Sequence, residues 1–367
     1  MLKIFHKSNK IKIILFIIFV SCSISNDTSV EDVTTTVPKT TTTILMSDNY
    51  LDYRDLKVFK ASTVSDAHMN ITMEYIELSE NLLFTDKRLK MNKLYPINLV
   101  QLDSENYESA IQLEKEYCDY LKNIYPQTYD HSNCSPNNKS PEEDGSIGLF
   151  TYDGQVQDSS ISGTPSGSDC CYLFMNRTFD LSWDSRSQAV VTIHEMYHIF
   201  QISNFVDFNH EEQDFISGKK IGSDFEDKPF WMEGYATFFG NLYYARSIDD
   251  FEMFRNEMRQ SLYTCYCGNE QEPNLIDKFL DGPELYNVTW DDWAVGYQIG
   301  AWFIAYLTNI HGEQTMYDFW INSQSGIYFP ENFLETFGKD YKSYEKDFRD
   351  FLSSNSEDEV MLILPTN

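Results

Sequence analysis

The segment from Ser187 to Ile199 constrains the chain more than any other. Val190, Val191, Ile193 and Ile199 mark a buried helix, yet the same run carries His194, Glu195 and His198. Two histidines at i and i+4 lie about 40° apart around a helix and one turn along it, so both imidazoles can reach one metal ion. Glu195 points to the side of that pair, where a carboxylate can take a proton from metal-bound water. Burying two imidazoles and a carboxylate without a metal would strand polar atoms, at roughly 1–3 kcal/mol for each lost partner. Such a helix also needs a thick apolar surround. The composition supplies it, with 42% hydrophobic and 15% aromatic residues.

The N-terminus has a different character. Lys3, Lys7, Lys10 and Lys12 precede the apolar run Ile13 to Val20, which reads as an export signal over residues 1–21. That run is far short of the roughly 20 residues a membrane-spanning helix needs. Phe19-Val20-Ser21-Cys22 resembles a bacterial lipobox, whose cysteine becomes the lipid-bearing N-terminus. An ordinary signal-peptidase site between Ser21 and Ser25 is the other reading. Residues 22–45, with TTTVPKTTTT at Thr34 to Thr43, form a polar tether with nothing to bury. The expected location is therefore extracytoplasmic, with membrane contact only through a lipid at Cys22, or free secretion. A balance of 57 acidic against 28 basic residues, net −29, argues against nucleic acid and anionic lipid surfaces as partners.

Setting Cys22 aside leaves Cys118, Cys134, Cys170, Cys171, Cys265 and Cys267, an even set suited to three disulfides outside the cytoplasm. Their connectivity stays open. The spacings CC and CYC lack the CxxC pattern that lets two thiolates chelate one zinc. Asn70, Asn176 and Asn287 each begin a glycosylation triplet, informative only in a eukaryotic source.

The globular part is expected from Met46. Ser65 suits the N-cap of a helix with Met69, Met73, Ile76 and Leu83 on one face. Strands are expected at Pro96–Val100, Ile147–Tyr152 and Cys171–Met175, with a helix from Ser104 through Tyr120. The Gly/Ser segment Gly163 to Asp169 has no Lys and no helix start, so it is no phosphate loop. From Ser187 onward the pattern is almost all helical. The fold class is therefore α+β, with a small mixed sheet and helices over residues 46–186 and a helical lobe with the metal site over 187–367.

A third ligand is sought downstream, and Trp231-Met232-Glu233-Gly234-Tyr235-Ala236 offers Glu233. His-Glu-x-x-His followed by Trp-x-Glu-Gly-x-Ala resembles the gluzincin metallopeptidases, in particular the peptidase MA-like family. The resemblance runs from Gln188 to Leu352, through Tyr297–Leu307, His311-Gly312 and Phe333–Gly338, with Asn204 to Pro229 as an insertion. It implies a zincin-like fold with an active-site cleft between its lobes. It also implies one Zn2+ per chain on His194, His198 and Glu233, leaving a fourth position for water. Glu195 is then the general base and Tyr297 the hydrogen-bond donor to the developing oxyanion. The implied activity is hydrolysis of peptide bonds in a peptide or protein substrate. By analogy with that clan, Cys171–Met175 would be an edge strand that pairs with substrate backbone.

Other assignments compete for several residues. His210, in an acidic loop, is an alternative ligand, whereas His68, His131 and His311 read as surface or capping residues. Thr237 is either a partner that orients a ligand or an ordinary helix residue. Trp231 reads as packing, and Tyr235, Phe238 and Phe239 as a core stripe. Tyr297 could instead pack with Trp293 and Trp302. The functional alternatives are a catalytically silent zinc-binding surface lipoprotein and a hydrolase of non-peptide amides.

Overall fold

The computed structural model describes residues 56–89, 97–124, 150–152, 155–162, 172–181, 185–204, 229–267, 270–272, 275–325 and 327–366. The expected signal and tether, the Cys22 anchor, His131, His210 and the Gly163 to Asp169 segment lie outside them. Ser65 does cap the first helix, its hydroxyl accepting from the His68 amide. The chain runs β1 (Leu56–Lys60), α1 (Asp66–Leu83), β2 (Ile97–Leu102) and α2 (Tyr107–Ile124). A small antiparallel pair follows, β3 (Thr151–Tyr152) with β4 (Gln155–Val156), and then β5 (Ser160–Ser162) and β6 (Tyr172–Arg177).

β1, β2, β6 and β5 form one sheet in that order. The first three are parallel and β5 is antiparallel to β6. Parallel neighbours need crossover connections, and α1 supplies the one between β1 and β2. β2 is buried along its whole length, so both of its faces need partners. Its side chains alternate accordingly. Ile97 and Leu99 join the main core with Phe174, while Val100 and Leu102 join a smaller core with Leu113, Tyr117 and Met175. The sheet is thus covered by α2 on one face and by the main core on the other.

The edge expected at Cys171–Met175 is not an edge. β6 lies between β2 and β5, with Leu99 and Ile161 both opposite Phe174. Among the described residues the terminal strand on that side is β5, whose three residues Ser-Ile-Ser are too short to show a strand pattern.

The second half contains α3 (Ser185–Ser203), α4 (Phe230–Ile248), α5 (Phe251–Tyr263), the hairpin β7 (Cys265–Cys267) and β8 (Glu270–Glu272), and α6 (Leu275–Asp281). A π-helical turn at Val295–Ile299 leads into α7 (Gly300–His311). Then come α8 (Glu313–Ser323), α9 (Phe329–Phe337) and α10 (Tyr341–Ser354). α3 packs on α1 and α4 alike, so the main core continues from the sheet into the helices. Trp231, Tyr235, Phe238 and Phe239 are core residues, as their stripe suggested. Trp231 packs against Phe319 and Phe329.

His68 bridges the Ser65 cap and the Phe179 carbonyl, and His311 contacts the Tyr344 hydroxyl. Asn70 and Asn287 are exposed, whereas Asn176 is fully buried. Cys118 is buried and disulfide-bonded. The other cysteine side chains lie outside the described residues. Among the described residues no helix is long and apolar enough to cross a membrane.

Candidate metal centre

α3 is buried from Gln188 to Gln201 with one half-buried position, Val190, so its polar residues must find partners inside the protein. α4 lies against it and brings Glu233 between the histidines. His194 Nε2 and His198 Nε2 are 3.0 Å apart, and Glu233 Oε2 is 3.1 Å from the first and 3.0 Å from the second. Among the described residues these three form the one group of histidines, cysteines and acids spaced to hold a metal ion.

With Glu233 ionised, protons cannot satisfy that triangle. If both Nε2 atoms carry hydrogens toward Glu233, two donors face each other at 3.0 Å. If one nitrogen donates to the other, the remaining nitrogen and the carboxylate meet as two acceptors. A cation at the centre satisfies all three atoms together. Tetrahedral zinc with N and O ligands at about 2.0–2.1 Å separates neighbouring donors by roughly 3.3 Å, within a few tenths of the observed edges. Two imidazoles and a carboxylate are also a donor set that zinc favours and that leaves one coordination position open.

The close approach of the surrounding elements depends on glycine. A Cβ on Gly234, next to Glu233, would lie 2.6 Å from the Gly300 carbonyl carbon. A Cβ on Gly300 would lie 2.7 Å from the Phe230 carbonyl oxygen. With no side chain at either position, α4 meets the start of α7 backbone to backbone. That contact sets the π-helical turn, and Tyr297 within it, beside the histidines. The Tyr297 ring is parallel to that of His194 at 6.2 Å, with Trp290 and Trp293 at 6.0 and 6.1 Å. Trp302 turns elsewhere, donating to the Met258 carbonyl. Single π-turns of this kind are frequent at functional sites.

Electrostatics separate the acids. Burial pushes Glu195 up to about 8; the His198 charge opposes this, and Glu233 and Asp158 add to it. Neither Glu195 oxygen has a hydrogen-bond partner among the described residues. Glu233 is buried too, but His198 and His194 outweigh that and hold it well below the usual carboxylate range. For His198, burial lowers proton affinity, and the Glu233 carboxylate more than reverses it, to about 9. Burial dominates at His194 and lowers it. Without a metal, then, the site keeps Glu233 ionised and draws a proton onto His198.

The structure brings together three of the five residues singled out in the sequence around one point, His194, His198 and Glu233, with the Tyr297 ring alongside His194. Glu195 lies beside them on α3, its carboxylate felt by both His198 and Glu233. Thr237 orients no ligand, since its hydroxyl has no hydrogen-bond partner. Sequence reasoning missed Gln201, whose amide contacts His198 Nδ1 at 2.7 Å. Its position three residues after His198, on the same helical face, was the available signal. Comparison of the chain with protein-family models, with curated proteins and with solved structures finds no match. The chemistry is therefore read from the site itself.

Proposed function

We propose that this chain is a zinc-dependent metallopeptidase of the gluzincin type, with a zincin-like fold, acting outside the cytoplasm. The observation that carries the proposal is the triangle of His194 Nε2, His198 Nε2 and Glu233 Oε2 beside a buried carboxylate with no partner. Those three residues would hold the ion. When bound, zinc supplies a Lewis acid that polarises a carbonyl and lowers the pKa of water to about 7.

Every other step belongs to the chain. Glu195 accepts the proton of the attacking water and returns it to the leaving amine. Its carboxylate is buried and has no hydrogen-bond partner among the described residues, so it is free to take that proton and hold it between the two transfers. Tyr297 donates its phenolic hydrogen to the carbonyl oxygen as negative charge develops there. A phenol donates one hydrogen bond without adding charge. Substrate backbone adds as a strand to β5, the terminal strand of the sheet, in place of β6.

The unpartnered Glu195 favours turnover over a silent zinc-binding role. A binding scaffold gains nothing from a buried acid that has no hydrogen bond. Digestion of a proteome-derived peptide mixture by the recombinant ectodomain, with and without chelator, tests the reading. Chelator-sensitive cleavage is expected. A zinc-loaded protein that cleaves no peptide would overturn the reading in favour of the binding module or a hydrolase of non-peptide amides.

A further inference from the structure

Gln201 lies at the end of α3, between His198 and the turn of α4 that carries Glu233. Its Nε2 donates to the Met232 carbonyl at 3.1 Å, and its Oε1 is 2.7 Å from His198 Nδ1. Those two contacts fix a chain of proton positions. A backbone carbonyl only accepts, so the amide nitrogen must face Met232 and the amide oxygen must face the histidine. An amide oxygen also only accepts, so His198 Nδ1 must carry a hydrogen. In the neutral ring Nε2 then holds the lone pair, aimed at His194 Nε2 and Glu233 Oε2.

The other ligand histidine is held from the same helix. A backbone hydrogen bond at Ala236 holds the His194 ring. Met232 and Ala236 flank Glu233 on α4, so the helix that supplies the third ligand also orients the first two. His194 is held directly, whereas His198 is reached through the Gln201 amide.

We infer that Gln201 is a positioning residue that presets the metal-binding nitrogen of His198, its own amide oriented by the Met232 carbonyl. This rests on the reading of the site as a zinc centre. It goes further in assigning how the site is made ready for the ion. Gln201 touches neither substrate nor the reacting atoms, and acts through His198 alone. Partners of this kind typically change metal affinity by about 10–100-fold when removed.

Three proteins test it: the wild type, Gln201→Met and Gln201→Glu. Met keeps an unbranched chain of similar length but offers no oxygen. Glu keeps an acceptor for Nδ1–H, loses the donor to Met232 and adds a negative charge beside the imidazole. Zinc dissociation constants from competition with a chromophoric chelator should rise about 10–100-fold for Gln201→Met and return to within a few-fold of wild type for Gln201→Glu. Turnover per zinc-loaded molecule should change far less than affinity.

Equal affinity in wild type and Gln201→Met would overturn the inference. So would equal weakening in both variants, because the Met232 clamp and not the Nδ1 acceptor would then be what matters. Should Gln201→Met fail to fold, imidazole 15N spectra of the zinc-loaded wild type decide the matter. A protonated Nδ1 with metal on Nε2 supports the assignment, and metal on Nδ1 overturns it. A folded wild type that binds no zinc would defeat the metallopeptidase reading itself, a result separate from any difference among the variants.

Discussion

Two clusters of buried polar side chains sit on α3, one near its start and one near its middle, and they are finished differently. In the first, Asn176 donates to Thr72 and Thr192 at 3.1 Å each and accepts from Ser159. Gln188 donates to Thr72, and Thr72 in turn donates to Gln101. That cluster ties α1, β2, β6 and α3 together, and only the Gln101 amide nitrogen lacks a partner. In the second, three atoms converge that protons cannot satisfy while Glu233 is ionised, and Glu195 has no hydrogen-bond partner among the described residues. Thr192 and Glu195 are three residues apart on one helical face, so burial does not distinguish the clusters. Completeness does. Hydrogen bonds that close on themselves hold a fold together, whereas the open set is the one group of histidines, cysteines and acids among the described residues spaced to hold an ion.

Substitutions at the open cluster should therefore change chemistry with little loss of fold. Glu195→Gln should lower turnover by about 10²–10⁴ and retain one zinc per chain by elemental analysis. Undiminished hydrolysis would remove the general base and the contrast with it. Tyr297→Phe comes next, with kcat falling by about 10²–10³ and KM little changed, as for a contact made mainly in the transition state. A kcat within a few-fold of wild type would return Tyr297 to the packing role it shares with Trp290 and Trp293.

The open cluster was the more legible of the two. His194, Glu195 and His198 follow from helical spacing, and Glu233 with Gly234 follows from a local pattern that the Gly300 contact explains. Glutamines and asparagines carry no such signature, so neither Gln201 nor the Asn176 network could be read ahead. The network also explains a misplaced face. Apolar spacing puts Met73 inside, but it is 37% exposed, because the buried face of α1 runs through Thr72, Ile76, Ser79 and Leu83. Apolar periodicity cannot reveal a face whose first buried residue is a threonine bonded to the sheet. β1 escaped notice because it is the other terminal strand and is largely exposed. β5 was too short, and missing it made β6 look like an edge.

A smaller effect comes from the proton affinity of Glu195 in metal-free protein. Its folded pKa, about 8, lies above the ordinary 4.5, so the folded state holds the proton more tightly than the unfolded state. The resulting stability is fully present below pH 4.5 and is lost as pH rises through 8. The Glu195→Gln variant has no such dependence, because an amide does not titrate. With both proteins stripped of metal, the variant should gain on wild type between pH 5 and 8 by a few kcal/mol, since a tenfold change in proton affinity corresponds to about 1.4 kcal/mol. Thermal melts across that range check it. A constant difference would mean that Glu195 does find a partner when the metal is absent.

The smallest effect is expected at the closed cluster, and it should fall on stability alone. Asn176→Ala removes the hub and leaves Thr72, Thr192 and Ser159 each short of one hydrogen bond in a buried place. Each bond contributes about 1 kcal/mol and some of the partners can re-pair, so a loss of about 1–3 kcal/mol is expected. Denaturant unfolding measures it. Zinc content should stay at one per chain, because no ligand bonds to any member of this network. The same burial bars the Asn176 triplet from carrying a glycan in the folded protein, since its amide nitrogen is already committed to two threonines. If Asn176→Ala instead lost zinc as completely as His194→Ala, the two clusters would be one coupled unit. Their separation along α3 would then have no functional meaning.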